Sequence, residues 1–325
     1  MLKLLSLLSL SFLLGAAPLL KTGQTKSYDQ NGNEVTNDSV KDDGYYQKGV
    51  TRSYNRSGDI VIDNVTGLQW QDNNDTDNTY RTWNDANGYC AALSLGGYGD
   101  WRLPTIEELE TIVDYGQYYS SITANIFMHV SSYDYWSSTI FAYNTLMAWE
   151  INFSCGNSYY YKKDDTTLYV RCVRGGTSKT SNFTRIGKIV GDNVTNLSWQ
   201  DDIAAKTTKK SWIEAIEYCE NLTLGGYNDW RLPNIKELLS IVDVSKSKST
   251  IYAIFQNVSS SYYWSSTTGA DDTTDAWRVF FDYGNSDSYK NKDNNHYVRC
   301  VRDGLSGDLS SAKDIVPIIT HILLD

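Results

Sequence analysis

The sequence predicts an α+β fold that occurs twice in tandem, and three observations carry that expectation. First, Asp100-Trp101-Arg102-Leu103-Pro104 returns as Asp229-Trp230-Arg231-Leu232-Pro233, and all ten tryptophans pair at a shift of 129 or 128 positions: Trp70 with Trp199, Trp83 with Trp212, Trp101 with Trp230, Trp136 with Trp264, Trp149 with Trp277. A period this long describes whole domains, because the repeats of a solenoid are several times shorter. Second, each copy runs from two helix patterns into a series of strand-like segments, the order of an α+β domain with a small antiparallel sheet. Third, Cys90 and Cys172 lie 82 positions apart and Cys219 and Cys300 lie 81 apart. Disulfides within each copy give both copies one geometry, whereas pairing across copies requires two. Cys155 is left over and aligns with Tyr283; a buried free thiol is expected there, with an intermolecular disulfide as the alternative.

In chain order, residues 1–17 read as a signal peptide: Lys3, the apolar run Leu4 to Leu14, then Gly15-Ala16-Ala17. That run is too short to span a bilayer. Residues 18–53, rich in Gly, Asn, Asp, Lys and Thr, read as an extended, loop-rich leader, with Tyr28, Tyr45, Tyr46 and Val50 available to dock on a neighbouring domain. The first repeat covers 54–175, the small polar segment 176–181 is a linker, and the second repeat covers 182–303. Residues 304–325 are an apolar tail, short for a membrane span and expected to dock onto a domain.

Within a copy, Ile60-Val61-Ile62, a turn at Asp63-Asn64, and Gly67-Leu68-Gln69-Trp70 predict two short strands. Thr82 with Asp85, and Ser211 with Glu214, have capping spacing. They precede a helical face carrying Trp83, Ala86, Cys90 and Leu93, or Trp212, Ala215, Cys219 and Leu222, which Gly96-Gly97 and Gly225-Gly226 end. A second helix begins after Pro104 or Pro233, capped by Thr105 with Glu108 or Asn234 with Glu237, and buries Leu109, Ile112, Val113 or Leu238, Ile241, Val242. Tyr135–Thr139, Ala148–Phe153, a Tyr-rich strand and Tyr169–Arg174 then form a meander whose final strand is tied to the first helix by the disulfide.

The chain carries 39 carboxylates against 29 Lys and Arg, a net charge of −10, which makes nucleic acid a poor partner. Its 25 Tyr and 10 Trp among many Ser, Asn, Thr and Gly are the palette of binding surfaces, where rigid amphipathic rings give contact area at low entropic cost.

Thr66 to Asp72, Trp83 to Cys90, Gly96-Gly97-Tyr98-Gly99-Asp100-Trp101-Arg102-Leu103-Pro104, Tyr135-Trp136-Ser137-Ser138 and Val170-Arg171-Cys172-Val173-Arg174, each with its partner in copy two, resemble the Lcl C-terminal domain family, named for the C-terminal domain of the Legionella collagen-like adhesin. The resemblance covers both copies. It implies C-type-lectin-like domains and an exported adhesion or carbohydrate-binding role, seen for sulfated polysaccharides in the namesake. Partners implied are extracellular glycan or a surface protein, with export to the periplasm, cell surface or medium, no transmembrane segment in the mature chain, and oligomers possible.

The loops that differ between copies, 158–165 against 286–295 and 140–145 against 268–274, are the places to expect a ligand. Candidate ligand-binding residues are Tyr159, Tyr160, Tyr161, Lys162, Lys163, Tyr289, Lys290 and Lys292, with half of the tyrosines facing inward by strand alternation. Asp100, Trp101, Arg102, Asp229, Trp230 and Arg231 are expected to be structural: ring buried, carboxylate and guanidinium satisfying each other or nearby backbone. Asp72, Asn73, Asn74, Asp75 and Asp77, and Asp271, Asp272 and Asp275, have oxygen ligands but irregular spacing, so exposed acidic loops are expected rather than a calcium site, and no cofactor is required. His129, His296 and His321 are scattered and no Cys-x-x-Cys or phosphate loop occurs, so no catalytic residue is assigned. The alternatives are an enzyme on a formylglycine-generating-enzyme-like scaffold and a structural envelope protein making protein contacts.

Overall fold

The computed structural model describes residues 19–122, 126–176 and 181–304. The segment expected to be a signal peptide, and most of the expected apolar tail and linker, lie outside the described residues.

The leader is folded rather than extended. Strands β1 (Ser27–Tyr28) and β2 (Glu34–Val35) pair as a hairpin, and helix α1 (Asp43–Tyr46) is capped by Asp42, which accepts from the Tyr45 amide. In copy one, β3 (Tyr54–Ser57), β4 (Ile60–Asp63) and β5 (Leu68–Gln71) form an antiparallel meander. Gly58 turns the first corner at φ +57°, and Asp63 Oδ1 accepts from the Val65 and Thr66 amides at the second. Then follow α2 (Asp75–Asn78), β6 (Tyr80–Arg81), α3 (Trp83–Ala92) and α4 (Ile106–Ile112). Last come β7 (Asp134–Ile140), β8 (Met147–Asn152), β9 (Ser158–Lys162), β10 (Leu168–Tyr169) and β11 (Val173–Gly175).

Copy two repeats the order with β12 (Phe183–Ile186), β13 (Ile189–Asp192), β14 (Leu197–Gln200), α5 (Ile203–Thr207), β15 (Lys209–Lys210), α6 (Trp212–Glu220), α7 (Ile235–Ser240), β16 (Tyr262–Thr268), β17 (Ala276–Phe280), β18 (Ser286–Asp287), β19 (His296–Tyr297) and β20 (Val301–Asp303).

The α+β expectation holds, with strands outweighing helices, but each copy has two sheets instead of one. Copy one has β11-β5-β4-β3 and β6-β10-β7-β8-β9, and the latter is antiparallel except for β10 beside β7. The division falls where 169–174 was expected to be one strand. Tyr169 belongs to one sheet and Val173 to the other, because Arg171 between them turns inward and its guanidinium reaches Gln71 O at 2.7 Å and Asp72 Oδ1 at 2.9 Å. The disulfides are Cys90–Cys172 and Cys219–Cys300, each tying the first long helix to the end of its domain. The capping boxes at Thr105–Glu108, Ser211–Glu214 and Asn234–Glu237 form as the spacing predicts. Gly96-Gly97 does not end α3, which stops at Ala92. The pair makes a two-residue turn at φ +63° and +79° between Leu95 and Tyr98, whose amides and carbonyls exchange hydrogen bonds.

Nine of the ten tryptophans are buried, and Trp83 is the partly exposed one. Over its counterpart Trp212 lies Lys292, on which the leader docks. Thr268 N donates to Gln24 Oε1 at 2.7 Å, Lys292 Nζ to Asp29 O at 3.0 Å, and the Tyr46 hydroxyl to Glu220 at 2.7 Å. The same leader grips copy one through Arg52, which donates to Val113 O and pairs with Asp114. The two copies also share one core rather than standing as separate globules. Tyr115 meets Trp277 edge-on at 4.8 Å, and Lys236 of α7 donates to Glu110 O at 2.8 Å.

Asp43 ties the leader to copy two, accepting from the Thr267 hydroxyl at 2.8 Å. Burial pushes Asp43 up to about 7, opposed by hydrogen bonds from Thr22 and Thr267 and reinforced by Glu237 and Asp42. A carboxyl whose folded value is raised stabilises the fold below its ordinary value of 3.8, and this contribution is lost as pH rises through about 7. The melting temperature of the wild type should therefore fall between about pH 4 and pH 7 relative to Asp43→Asn, which carries no charge to bury. Parallel melting curves for the two proteins across that range contradict the assignment.

Candidate functional site

The two five-stranded sheets meet at their edges. Ser158 on β9 and its counterpart Ser286 on β18 face each other, hydroxyl to hydroxyl at 3.1 Å, and the Ser286 amide also donates to the Ser158 hydroxyl. Beside it opens a cleft of about 480 Å³, within the range of small-ligand sites. Strand alternation turns Tyr159 and Tyr161 of β9 into it, with Tyr159 49% exposed. It turns Tyr160 away, onto Phe141 at 3.7 Å. Copy two contributes Tyr289 and Lys290 from the loop after β18.

The walls of the cleft are unlike. Aligned on Trp136/Trp264 and Trp149/Trp277, Asp134 stands where copy two has Tyr262, and Glu150 where it has Arg278. Arg278 is satisfied within its own domain. It donates to Asp287 at 2.9 and 3.1 Å, lies 3.5 Å from the centre of the Tyr262 ring and contacts His296 Nε2 at 3.2 Å. Burial, then the Arg278 charge, lowers His296 to about 4, so this imidazole is neutral at pH 7. Glu150 is 2% exposed and pushed well above the carboxylate range by burial and then by the Asp134 charge; Asp134 is itself raised by burial. Cys155 is buried, and its Sγ lies 3.2 Å from the Tyr289 hydroxyl.

The structure thus brings together Tyr159, Tyr161, Tyr289 and Lys290 of the eight residues expected at a ligand. Lys162 projects outward beside Asp165 at 3.6 Å, and Lys163 lies 4.8 Å from the centre of the Trp83 ring. Lys292 is a correction. It is 0% exposed, fixed between Trp212 and the leader, and burial lowers it to about 8, so it is a structural lysine. Of the two arrangements expected for Asp-Trp-Arg, the mutual pairing does not form, while Arg102 does donate to the backbone, to Gly175 O at 3.3 Å. Asp100 takes Arg174 at 2.6 Å while Arg102 takes Glu108 bidentately, because Glu108 already sits at the helix start as the capping residue. Asp229–Arg302 and Arg231–Glu237 repeat this arrangement. Trp101 and Trp230 are buried as expected.

Asp72 is not part of an exposed acidic loop. It is fully buried, holds Arg171 and Arg56, and accepts from the Met128 and His129 amides; Asp201 does the same with Arg299, Arg185, Gln256 and Asn257. Asp272 caps its own turn through Thr274. Among the described residues no three His, Cys, Asp or Glu side chains converge as a metal site.

Sequence reasoning missed Glu150, Asp134 and Arg278. For Glu150 and Arg278 the available signal was the opposite charge at equivalent positions, each directly after an aligned tryptophan; for Asp134 it was an acid where copy two has Tyr262. It also missed an exposed aromatic platform on copy one, where Tyr133, 62% exposed, stacks on Tyr169 at 6.1 Å and Tyr80 joins them by a hydroxyl contact of 2.5 Å.

A family model described as the Lcl C-terminal domain matches residues 59–174 and 188–302. No curated protein matches the chain. Among the described residues no helix is long and apolar enough to cross a membrane.

Proposed function

The chain belongs to the Lcl C-terminal domain family, and from that premise we propose that it is an exported, adhesin-like protein of C-type-lectin-like domains. It binds extracellular glycan in the cleft between its two copies, without chemistry. The observation that carries this reading is the cleft itself: tyrosines from both copies, set among polar and charged groups, on segments whose residues differ between the copies while the scaffold repeats. Two disulfides suit an oxidising compartment. The non-catalytic part is supported by the surroundings of Cys155, whose Sγ faces the Tyr289 hydroxyl and Asn152 Oδ1, neither a general base at neutral pH.

The test is a glycan array probed with the mature chain, with and without calcium. A defined set of glycans should be retained. Tyr159→Ala and Tyr289→Ala should each weaken binding several-fold, as expected for rings worth about 0.5–1.5 kcal/mol beyond their area. An array blank under both conditions, or binding untouched by both substitutions, contradicts the reading.

A further inference from the structure

We propose that the cleft holds the protonated amine of an amino sugar, at the carboxyl pair Glu150 and Asp134. This rests on the glycan reading above and specifies its ligand class.

The two copies pose the same cross-strand question and answer it differently. In copy two, Arg278 on β17 stands opposite Asp287 on β18, and the two form a bidentate ion pair. In copy one, Glu150 on β8 stands opposite Tyr159 on β9. The carboxyl therefore has no cation where its counterpart has a complete pair. Asp134 is within hydrogen-bonding reach of Glu150 and adds a second acid, while its own partner is the neutral Asn152 side chain, donating at 2.7 Å. Glu150 Oε2 is buried and accepts no hydrogen bond, although the residue lines the cleft. An acceptor left in that condition is costly until a donor reaches it, because it has given up water without a replacement. An ammonium supplies both the donor and the missing charge, and the Tyr159 and Tyr161 rings alongside favour a cation.

A second unmet acceptor distinguishes a sugar from a lysine side chain. Asn157 Oδ1, also on the lining, is buried with no hydrogen-bond partner. An amino sugar brings hydroxyl donors for it together with a ring face for tyrosine; a lysine head on its methylene stem brings neither.

The experiment is titration calorimetry of the mature chain with three probes near pH 6: a glucosamine hexamer, an N-acetylglucosamine hexamer and a lysine-rich peptide. The free-amine hexamer should bind at least about tenfold tighter than the acetylated one, a difference of about 1.4 kcal/mol. Glu150→Gln, which keeps the shape, should abolish the preference, with Asp134→Asn as the second variant should the first not fold. Equal binding of both hexamers, unchanged in Glu150→Gln, overturns the amine assignment while leaving the glycan reading intact. Failure of both hexamers together with a blank array overturns both. Glu150-dependent capture of the peptide without either hexamer overturns the sugar assignment.

Discussion

Arg299→Ala should destabilise the protein by about 3–5 kcal/mol, the cost of breaking a buried ion pair by removing one of its members. Arg299 is fully buried and donates to Gln200 O and Asn257 O at 2.5 Å and to Asp201 Oδ1 at 3.1 Å. Those contacts bind the end of β14, the 254–258 loop and the junction between the two sheets at one point. With the guanidinium gone, Asp201 retains Arg185 and two amides but stays buried beside an empty volume. The equivalent substitution in copy one, Arg171→Ala, should cost a similar amount, since it takes from Asp72 the buried one of its two arginines and leaves Arg56 and two amides. By contrast, Arg102→Ala removes an ion pair whose arginine side chain is 44% exposed and should cost no more than about 1 kcal/mol. Urea unfolding followed by tryptophan fluorescence checks all three. Similar losses for the buried and the surface arginines contradict this account of the sheet junction.

Removing either disulfide should cost roughly 4 kcal/mol on the chain-entropy model, because each closes a loop of about 80 residues, with sequence separations of 82 and 81. Cys90→Ala/Cys172→Ala and Cys219→Ala/Cys300→Ala should each lower the midpoint of chemical unfolding strongly. Because the copies share a core through Tyr115, Trp277 and Lys236, loss of either disulfide should destabilise both halves together. Two well-separated transitions, one shifted and one unmoved, would show that the halves unfold independently.

What was legible in the sequence was what depends on neighbours or on repetition. The capping boxes at Thr105 and Asn234 need partners three residues away, and the β4–β5 turn needs only Asp63 and Gly67. The disulfide pairing was visible because two copies must share one geometry. Asp72 was misread as exposed because its charge partner, Arg171, lies 99 positions away, so local composition shows only an acidic loop. Lys292 was placed at a ligand because nothing near it in sequence reveals that Asp29, 263 positions away, lies on top of it. The leader looked extended for the same reason: its few large side chains and polar groups fold against copy two, and their partners are written elsewhere in the chain. At the cleft, the tyrosines were legible from their density. The acid that faces them was not, because Glu150 is an ordinary residue in a strand until Arg278 is set beside it.

The central claim is that one cleft, built from unlike halves of two copies, is where the ligand sits. The most direct measurement is NMR of the mature chain with ring-¹³C tyrosine, assigned by single Tyr→Phe substitutions and titrated with the tightest-binding glycan from the array. The account predicts that Tyr159 and Tyr161 of copy one and Tyr262 and Tyr289 of copy two shift together with one saturation curve. Shifts confined to one copy, or found at Tyr80, Tyr133 and Tyr169 with the cleft tyrosines unmoved, would contradict it.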